Sequence, residues 1–165
     1  MPASTYEIIS ASWILYDDFK KRIKNVCLQS NLKCEETSKE NLSIQQINNA
    51  DKTLNLEFRN QNNVEWYLKK YPMANEEPIE RIPYYKYLKE YPDKQFYSIA
   101  LANQYLDFEL LFKVSKAYLH LNPKHFISIN GKKCIGYKHF KIDETYNEGW
   151  WNEMENYYNI SNYNV

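Results

Sequence analysis

Residues 107–137 read DFELLFKVSKAYLHLNPKHFISINGKKCIGY, a helix pattern followed directly by a hairpin pattern. Asp107 is a residue type that caps helix N-termini, and Asn122-Pro123 interrupts the pattern. Between these points the apolar side chains recur at three- and four-residue spacings, at Leu110, Leu111, Val114, Ala117, Tyr118 and Leu121. The spacing predicts an amphipathic helix that Asp107 caps and that stops at Asn122.

Two β-prone runs follow this helix, at 126–129 and 134–137, and Asn130-Gly131 lies between them. Asn-Gly favours the positive φ angles that a type I′ turn requires at both of its central residues. We therefore predict an antiparallel hairpin with a two-residue turn.

The rest of the chain carries similar patterns and leads to a prediction of the fold class. A helix is predicted from Asp17 to about Ser30, where Phe19, Ile23, Val26 and Cys27 form the apolar side. Strand patterns occur within residues 4–12, 42–47, 54–58 and 95–102, and the middle two predict a hairpin with one solvent-facing side. Because helices and hairpins interleave, we predict a single compact α+β domain over residues 1–165, with a largely antiparallel sheet and helices packed on it.

A similar hexapeptide occurs twice in the middle of the chain, as YLKKYP at 67–72 and as YLKEYP at 87–92. The residue before a proline is pushed out of the α region. Each copy is therefore predicted to end a short helix, and two copies are too few for a repeat architecture.

Composition excludes several classes of protein. The chain has 165 residues, 16% of them aromatic, with 21 basic and 21 acidic residues. The aromatic content argues against disorder, and no apolar run approaches the roughly 20 residues of a membrane helix. The zero net charge disfavours nucleic acid as a partner. Residues 1–16 do not resemble a secretion signal, and three cysteines do not fit a disulfide framework, so we expect a cytoplasmic protein with free thiols.

The patterns for cofactors and for catalysis are weak. Three glycines are too few and too scattered for a phosphate-binding loop, a dinucleotide fingerprint or a nucleophile elbow. Zinc accepts ligands such as His120, His125, Cys134 and His139, but their spacing lacks an anchoring pair, so ordinary surface histidines and a packed thiol are the preferred interpretation. Cys134 could also pair with His125 across the hairpin as nucleophile and base. We predict no metal and no cofactor.

Charge is distributed unevenly along the second half of the chain. Residues 101–142 carry seven lysines against two acids, whereas residues 143–165 carry five acids and no basic residue. One interpretation is that this acidic aromatic segment, 143–165, packs near the basic helix and hairpin and neutralises them. The other is that the segment faces a basic partner.

Aromatic residues cluster in the acidic segment and again before residue 88. Tyrosine and tryptophan are favoured anchors of protein interfaces, because they bury a large area with little loss of entropy. Stacking on nucleic acid is the competing interpretation, and the neighbouring carboxylates weaken it. The predicted partner-binding residues are Tyr84, Tyr85, Tyr87, Glu148, Trp150, Trp151, Glu153 and Glu155.

The segment Leu110–Pro123, LLFKVSKAYLHLNP, resembles a helix of small bacterial immunity proteins of the contact-dependent inhibition type. Those proteins neutralise toxin domains that neighbouring cells deliver. The resemblance covers under a tenth of the chain and transfers no functional residue. It implies a small cytoplasmic α+β domain with a high-affinity protein partner and no cofactor.

These observations predict a protein-binding module, most concretely an immunity protein that covers the basic active site of a cognate toxin. Charge would speed the encounter, and buried rings would slow release. The alternative, from a different class, is a small cytoplasmic enzyme with a tyrosine-lined pocket and a catalytic Cys or His. The two predict different geometries, because an enzyme needs a cleft in which Cys134, His125 or His139 converges with carboxylates.

Overall fold

In a computed structural model of the chain, nine strands of the described residues form one antiparallel sheet. The structure describes residues 4–62, 69–70, 85–88, 96–104, 107–129, 133–140, 145–147 and 163–164. Within these ranges the elements are β1 (Ser4–Ser10), α1 (Tyr16–Gln29), β2 (Leu32–Ser38), β3 (Asn41–Gln46), β4 (Asn49–Phe58), β5 (Tyr85–Leu88), β6 (Phe96–Gln104), α2 (Phe108–Leu121), β7 (Phe126–Ile129), β8 (Lys133–Gly136), a 3₁₀ turn (Tyr137–His139) and β9 (Tyr163–Asn164). Seven strands lie side by side in the order β2-β3-β4-β6-β1-β7-β8, while β5 pairs with β6 and β9 pairs with β5.

The centre of the sheet is the pair β1 and β6, whose register runs from Ser4 opposite Gln104 to Ser10 opposite Tyr97. An irregularity in this pairing lies between Ile8 and Ile9. The fourth strand, β4, pairs with β6 through its last residues, and β5 pairs with the other end of β6 at Phe96 and Tyr97. The end of β4 and the start of β5 thus pair with different parts of the same edge of β6.

Both helices pack on the same side of the sheet, where they enclose the main hydrophobic core. Helix α1 buries the four apolar residues that its periodicity predicts, and Asp107 caps α2 by accepting a hydrogen bond of 2.8 Å from the backbone N–H of Leu110. The sheet and α2 are joined by a buried hydrogen bond of 2.9 Å between the hydroxyls of Tyr6 and Ser115. Arg22 of α1 donates to the side chain of Asn122, at the end of α2.

The opposite side of the sheet also carries buried side chains. Ile9, Phe96 and Cys134 form a second, smaller apolar cluster there. Beside it, Arg59 donates a hydrogen bond of 2.8 Å to Ser98 and lies 3.6 Å from a carboxylate oxygen of Glu7. Arg59, Glu7 and Ser98 are all buried, so this side of the sheet holds hydrogen-bonded polar groups beside the smaller apolar cluster.

The predicted fold class is confirmed: the chain forms a compact α+β domain with an antiparallel sheet and helices packed on it. The helices predicted after Asp17 and after Asp107, the strands in 4–12 and 95–102 and both hairpins are present. In the first hairpin the turn is confined to Ile47 and Asn48, so β4 begins earlier than the sequence pattern predicts. All three cysteines are free thiols, and Cys27 and Cys134 are buried.

Three local predictions are wrong. Strand β2 was not predicted, because its residues are mostly exposed and it lies at the edge of the sheet, where the apolar alternation is weak. Tyr87 and Leu88 of the second hexapeptide lie in β5 and not in a helix, since they pair with β9. The first hexapeptide is described only at residues 69–70, too little to test its prediction.

The third wrong prediction concerns the turn of the second hairpin. Ile129 pairs with Lys133, which leaves three residues in the connection instead of two. A two-residue turn would shift the register by one and rotate every side chain of β8 to the other side of the sheet. The longer connection places Ile135 opposite Ile127, so that both are buried in the main core.

Neither helix of the described ranges has the length and apolar character that crossing a bilayer would demand.

Candidate functional site

The predicted partner-binding residues lie mostly outside the described residues. This holds for Tyr84, Glu148, Trp150, Trp151, Glu153 and Glu155, so their prediction stays untested. Tyr85 and Tyr87 belong to β5, where the backbone and its pairing are described.

Strand pairing places the end of the acidic aromatic segment beside β5, which contains Tyr85 and Tyr87. In the register of β5 and β9, Tyr87 lies opposite Asn164 and Leu88 lies opposite Tyr163. The end of the acidic aromatic segment therefore lies beside the strand that carries two of the predicted partner-binding residues, Tyr85 and Tyr87.

The beginning of the same segment lies against α2. The ring of Tyr146 is half-buried and contacts the ring of Phe112 edge-on, with 5.7 Å between centroids. Thr145 and Tyr146 also form one wall of a groove beside Lys113 and Lys116. Here the acidic aromatic segment packs on α2, the helix that carries Lys113 and Lys116. This contact agrees with the interpretation that the segment packs near the basic helix.

This groove, of about 620 Å³, is the candidate functional site. It is lined by residues of α2, by the C-terminal end of α1 with the residue that follows it, and by Thr145 and Tyr146. The lining residues are Gln29, Ser30, Glu109, Phe112, Lys113, Lys116, Ala117, His120, Thr145 and Tyr146.

Helix periodicity explains why α2 serves both the core and the groove. Leu110, Leu111, Val114 and Tyr118 are buried in the core, while the residues between them at three- and four-residue spacings line the groove. Phe112 belongs to both sets, since it is buried and also forms part of the lining. The contribution of α1 has no sequence signal, because it depends on how the two helices pack together.

Charge along the groove changes from balanced to basic. At the N-terminal end, Lys52 of β4 lies 3.6 Å from both Asp107 and Glu109, so these acids already have a cationic neighbour. Further along α2, Lys113 is exposed and Lys116 is half-buried. The groove can therefore accept apolar groups on its aromatic wall and carboxylates beside its lysines.

His120 closes the groove at the C-terminal end of α2. Its Nδ1 lies 2.7 Å from the backbone oxygen of Lys116, which can only accept, so Nδ1 carries the proton and donates. The ring also contacts Tyr137 edge-on, with centroids 5.1 Å apart. These two contacts hold the ring in one orientation at the rim.

The catalytic pair considered in the sequence does not converge. Cys134 packs with Ile9 and Phe96 on one side of the sheet, whereas His125 contacts α2 on the other side. The prediction of a surface histidine is wrong at His125, which is buried because its ring packs against Tyr118. The Nδ1 atom of His125 is 2.8 Å from the hydroxyl of Tyr118, and burial, followed by the charge of Arg22, lowers the pKa of the imidazole to about 4. The side chain of His139 lies outside the described residues.

In the ranges that the structure describes, no three His, Cys, Asp or Glu side chains are grouped so that they could hold a metal ion.

The candidate site is a groove of mixed polar and apolar character beside the acidic aromatic segment. Comparisons with protein-family models, with curated proteins and with solved structures give no match for this chain.

Proposed function

We propose that this chain is a protein-binding module, and most concretely a cytoplasmic immunity protein that binds and blocks a cognate bacterial toxin. One observation carries the proposal: an open groove of about 620 Å³ lies on α2, and the acidic aromatic segment begins in its wall. The same helix contains the segment that resembles immunity proteins.

The chemistry of the groove and its surroundings suits a protein partner. Phe112, Ala117 and Tyr146 supply apolar contact area, and lysines stand beside them. Leu28, which is 81% exposed, directly precedes Gln29 of the groove. Protein interfaces combine an apolar centre with a polar, charged rim in this way.

The partner is proposed to be a basic toxin domain, because the acidic aromatic segment holds five acids and no basic residue. Glu148, Glu153 and Glu155 would meet the basic surface, and Trp150 and Trp151 would be buried against it, together with Tyr84, Tyr85 and Tyr87. Binding would block the toxin by occlusion. Opposite charges accelerate association, and the desolvated rings keep dissociation slow.

The experiment uses the purified chain and the protein encoded by the neighbouring upstream gene. Binding is measured by biolayer interferometry, and protection is measured as growth of cells that express that protein with and without this chain. We expect Trp151→Ala and Glu153→Ala each to weaken binding at least about tenfold, with an unchanged melting temperature. Asp17→Ala, an exposed acid at the far end of α1 from the groove, is the matched control and should bind normally.

Two results would contradict the proposal. If Trp151→Ala and Glu153→Ala lose thermal stability but keep the partner, the segment is part of the core and does not form the interface. If the partner binds and Lys113→Glu slows association, the partner is acidic at this surface, and the basic toxin is the wrong class. A basic partner requires the Lys113→Glu variant to associate faster, and more so at low salt.

A further inference from the structure

A second chemically distinctive place lies where α1 is followed by β2. Cys27 in the last turns of α1 is buried, and Cys34 in β2 is half-buried. Cys34 packs against the core cluster that contains Cys27, and hydrogen bonding between the two thiols acts on the pKa values of both. Only Ser30 and Asn31 connect the two elements, and Asn31 has a left-handed φ of 54°, which reverses the chain direction.

One side of α1 surrounds the half-buried thiol with polar groups. Lys20 and Lys24 lie one turn apart on the helix, and their charges act on Cys34. Lys20 forms an ion pair of 3.1 Å with Glu36, two residues beyond Cys34 on the same side of β2, and Tyr16 donates a hydrogen bond to Glu36 as well. Because β2 is the end strand of the sheet, a small molecule can approach this place from the sheet edge.

We propose that Cys27 and Cys34 form a redox-reactive dithiol site that takes low-molecular-weight disulfides, with Cys34 as the attacking and Cys27 as the resolving cysteine. The assignment follows from accessibility and surroundings, since Cys34 is the more exposed thiol and has two lysines beside it. Cys134 is excluded from the pair because it packs on the other side of the sheet.

The electrostatics of the pair support these roles. The hydrogen bond from Cys27, and then the charges of Lys24 and Lys20, lower the pKa of the Cys34 thiol to about 7, against the opposing effects of burial and of Glu35. The same hydrogen bond, and then burial, raises the pKa of Cys27. The thiolate is the reactive form of cysteine, so at neutral pH Cys34 reacts first.

The reaction proceeds in two exchange steps. The Cys34 thiolate attacks one sulfur of the external disulfide; the bond between Cys34 and that sulfur forms, the external S–S bond breaks, and the other half of the disulfide leaves as a thiolate, which then takes up a proton. Cys27 then loses its proton and attacks the Cys34 sulfur, which forms the Cys27–Cys34 bond and releases the second thiol. The protein loses two electrons and two protons, and the external disulfide is reduced to two thiols.

The test treats the full-length protein with oxidised glutathione and follows the products by intact mass. Wild type is expected to form an internal disulfide with no retained glutathione. Cys27→Ser should stop at one glutathione on residue 34, because the resolving thiol is missing. Cys34→Ser should react at least about tenfold more slowly, and the control Cys134→Ser should behave like wild type.

Peptide mapping of the wild-type protein makes the test independent of variant folding. Trypsin cleaves after Lys24, Lys33 and Lys39, so the two cysteines fall in separate peptides, 25–33 and 34–39. Non-reducing digestion of the oxidised protein should yield these two peptides joined. A link from either peptide to the one that contains Cys134, a link between two chains, or unreacted Cys27 and Cys34 would overturn the proposal.

A pH profile separates an activated thiol from a merely exposed one. The reaction rate of wild type with oxidised glutathione should reach half its maximum near pH 7, where Cys34 titrates. Lys24→Gln should move this midpoint to higher pH, since it removes a cation that favours the thiolate. A midpoint at the pH of an ordinary thiol in both proteins would contradict the assignment.

Discussion

His125 is held neutral by its surroundings. The side chain is 8% exposed and hydrogen-bonds Tyr118 through Nδ1 at 2.8 Å. Burial is the main cause that lowers the pKa of the ring from an ordinary 6.5 to about 4, and the positive charge of Arg22 acts in the same direction. Between these two pH values, the unfolded chain binds a proton at this position that the folded chain does not bind.

This proton imbalance predicts a pH dependence of stability with a defined sign. The contribution of neutral His125 is complete above pH 6.5 and is lost as the pH falls towards 4, because protons then favour the unfolded chain. In this window the free energy of unfolding of wild type should decrease by about 1.4 kcal/mol per pH unit relative to His125→Gln. Urea unfolding of both proteins from pH 7 to pH 4 measures the difference.

The comparison uses slopes, so an overall loss of stability in His125→Gln does not disturb it. The carboxylates are common to both proteins and cancel in the difference. Parallel curves through the window would show that His125 becomes protonated in the folded protein as easily as in the unfolded chain.

At the scale of the element, the start of α2 combines two electrostatic contacts on one side chain. Asp107 accepts the hydrogen bond from the N–H of Leu110 at 2.8 Å through Oδ1, and its Oδ2 lies 3.6 Å from Lys52. The first contact satisfies a helix N–H that has no partner within the helix. The second is an ion pair between partly exposed groups, which contributes little to stability in water.

Two substitutions at this position separate the contacts. Asp107→Ala removes both and should lower the free energy of unfolding by about 1 kcal/mol, the usual value of an N-cap. Asp107→Asn removes the charge but keeps a capping oxygen, so it should retain most of the stability of wild type. Chemical denaturation of the three proteins in the same buffer measures the differences.

A loss in Asp107→Asn as large as that in Asp107→Ala would assign the effect to the ion pair with Lys52. Raising the salt concentration would then reduce the difference between wild type and Asp107→Asn, because salt screens partly exposed charges.

On the scale of the whole molecule, one hydrogen bond joins the sheet to the helix layer through the core. Tyr6 of β1 and Ser115 of α2 are fully buried, and their hydroxyls are 2.9 Å apart although the residues are 109 positions apart in the chain. Burial raises the pKa of Tyr6, so its hydroxyl stays protonated. The pair fixes how α2 sits above the central strand.

A double-mutant cycle tests this link. Ser115→Ala leaves the buried hydroxyl of Tyr6 without its partner and should destabilise the protein by about 1–3 kcal/mol. In Tyr6→Phe combined with Ser115→Ala both polar groups are absent, so the double variant should lose less than the sum of the two single variants. Additive losses would mean that the bond does not couple the sheet to α2.

Local sequence patterns were sufficient to predict the features that depend on residues close together in the chain. The cap at Asp107, the end of α2 at Asn122 and the apolar side of α1 at Phe19, Ile23, Val26 and Cys27 all follow from spacings within one helix. Periodicity and capping involve neighbours in the chain, which is why the α+β class could be predicted from them.

The same local patterns could not predict the edge strand β2 or the length of the turn after Ile129. Strand β2 exists because β3 offers it a hydrogen-bonding edge, and the three-residue connection after Ile129 exists because Ile135 has to reach the core beside Ile127. In both cases a contact with another element outweighs the local preference of the residues.

The amino-acid order alone therefore established the class of the domain, both helices and the opposite charges of the basic helix and the acidic aromatic segment. Packing between elements decided the groove on α2, the separation of Cys134 from His125 and the packing of Cys34 against the core that contains Cys27. The reason is physical: a spacing in the chain constrains only residues within a turn or two of each other, whereas a site is made where hydrophobic burial brings separate elements together.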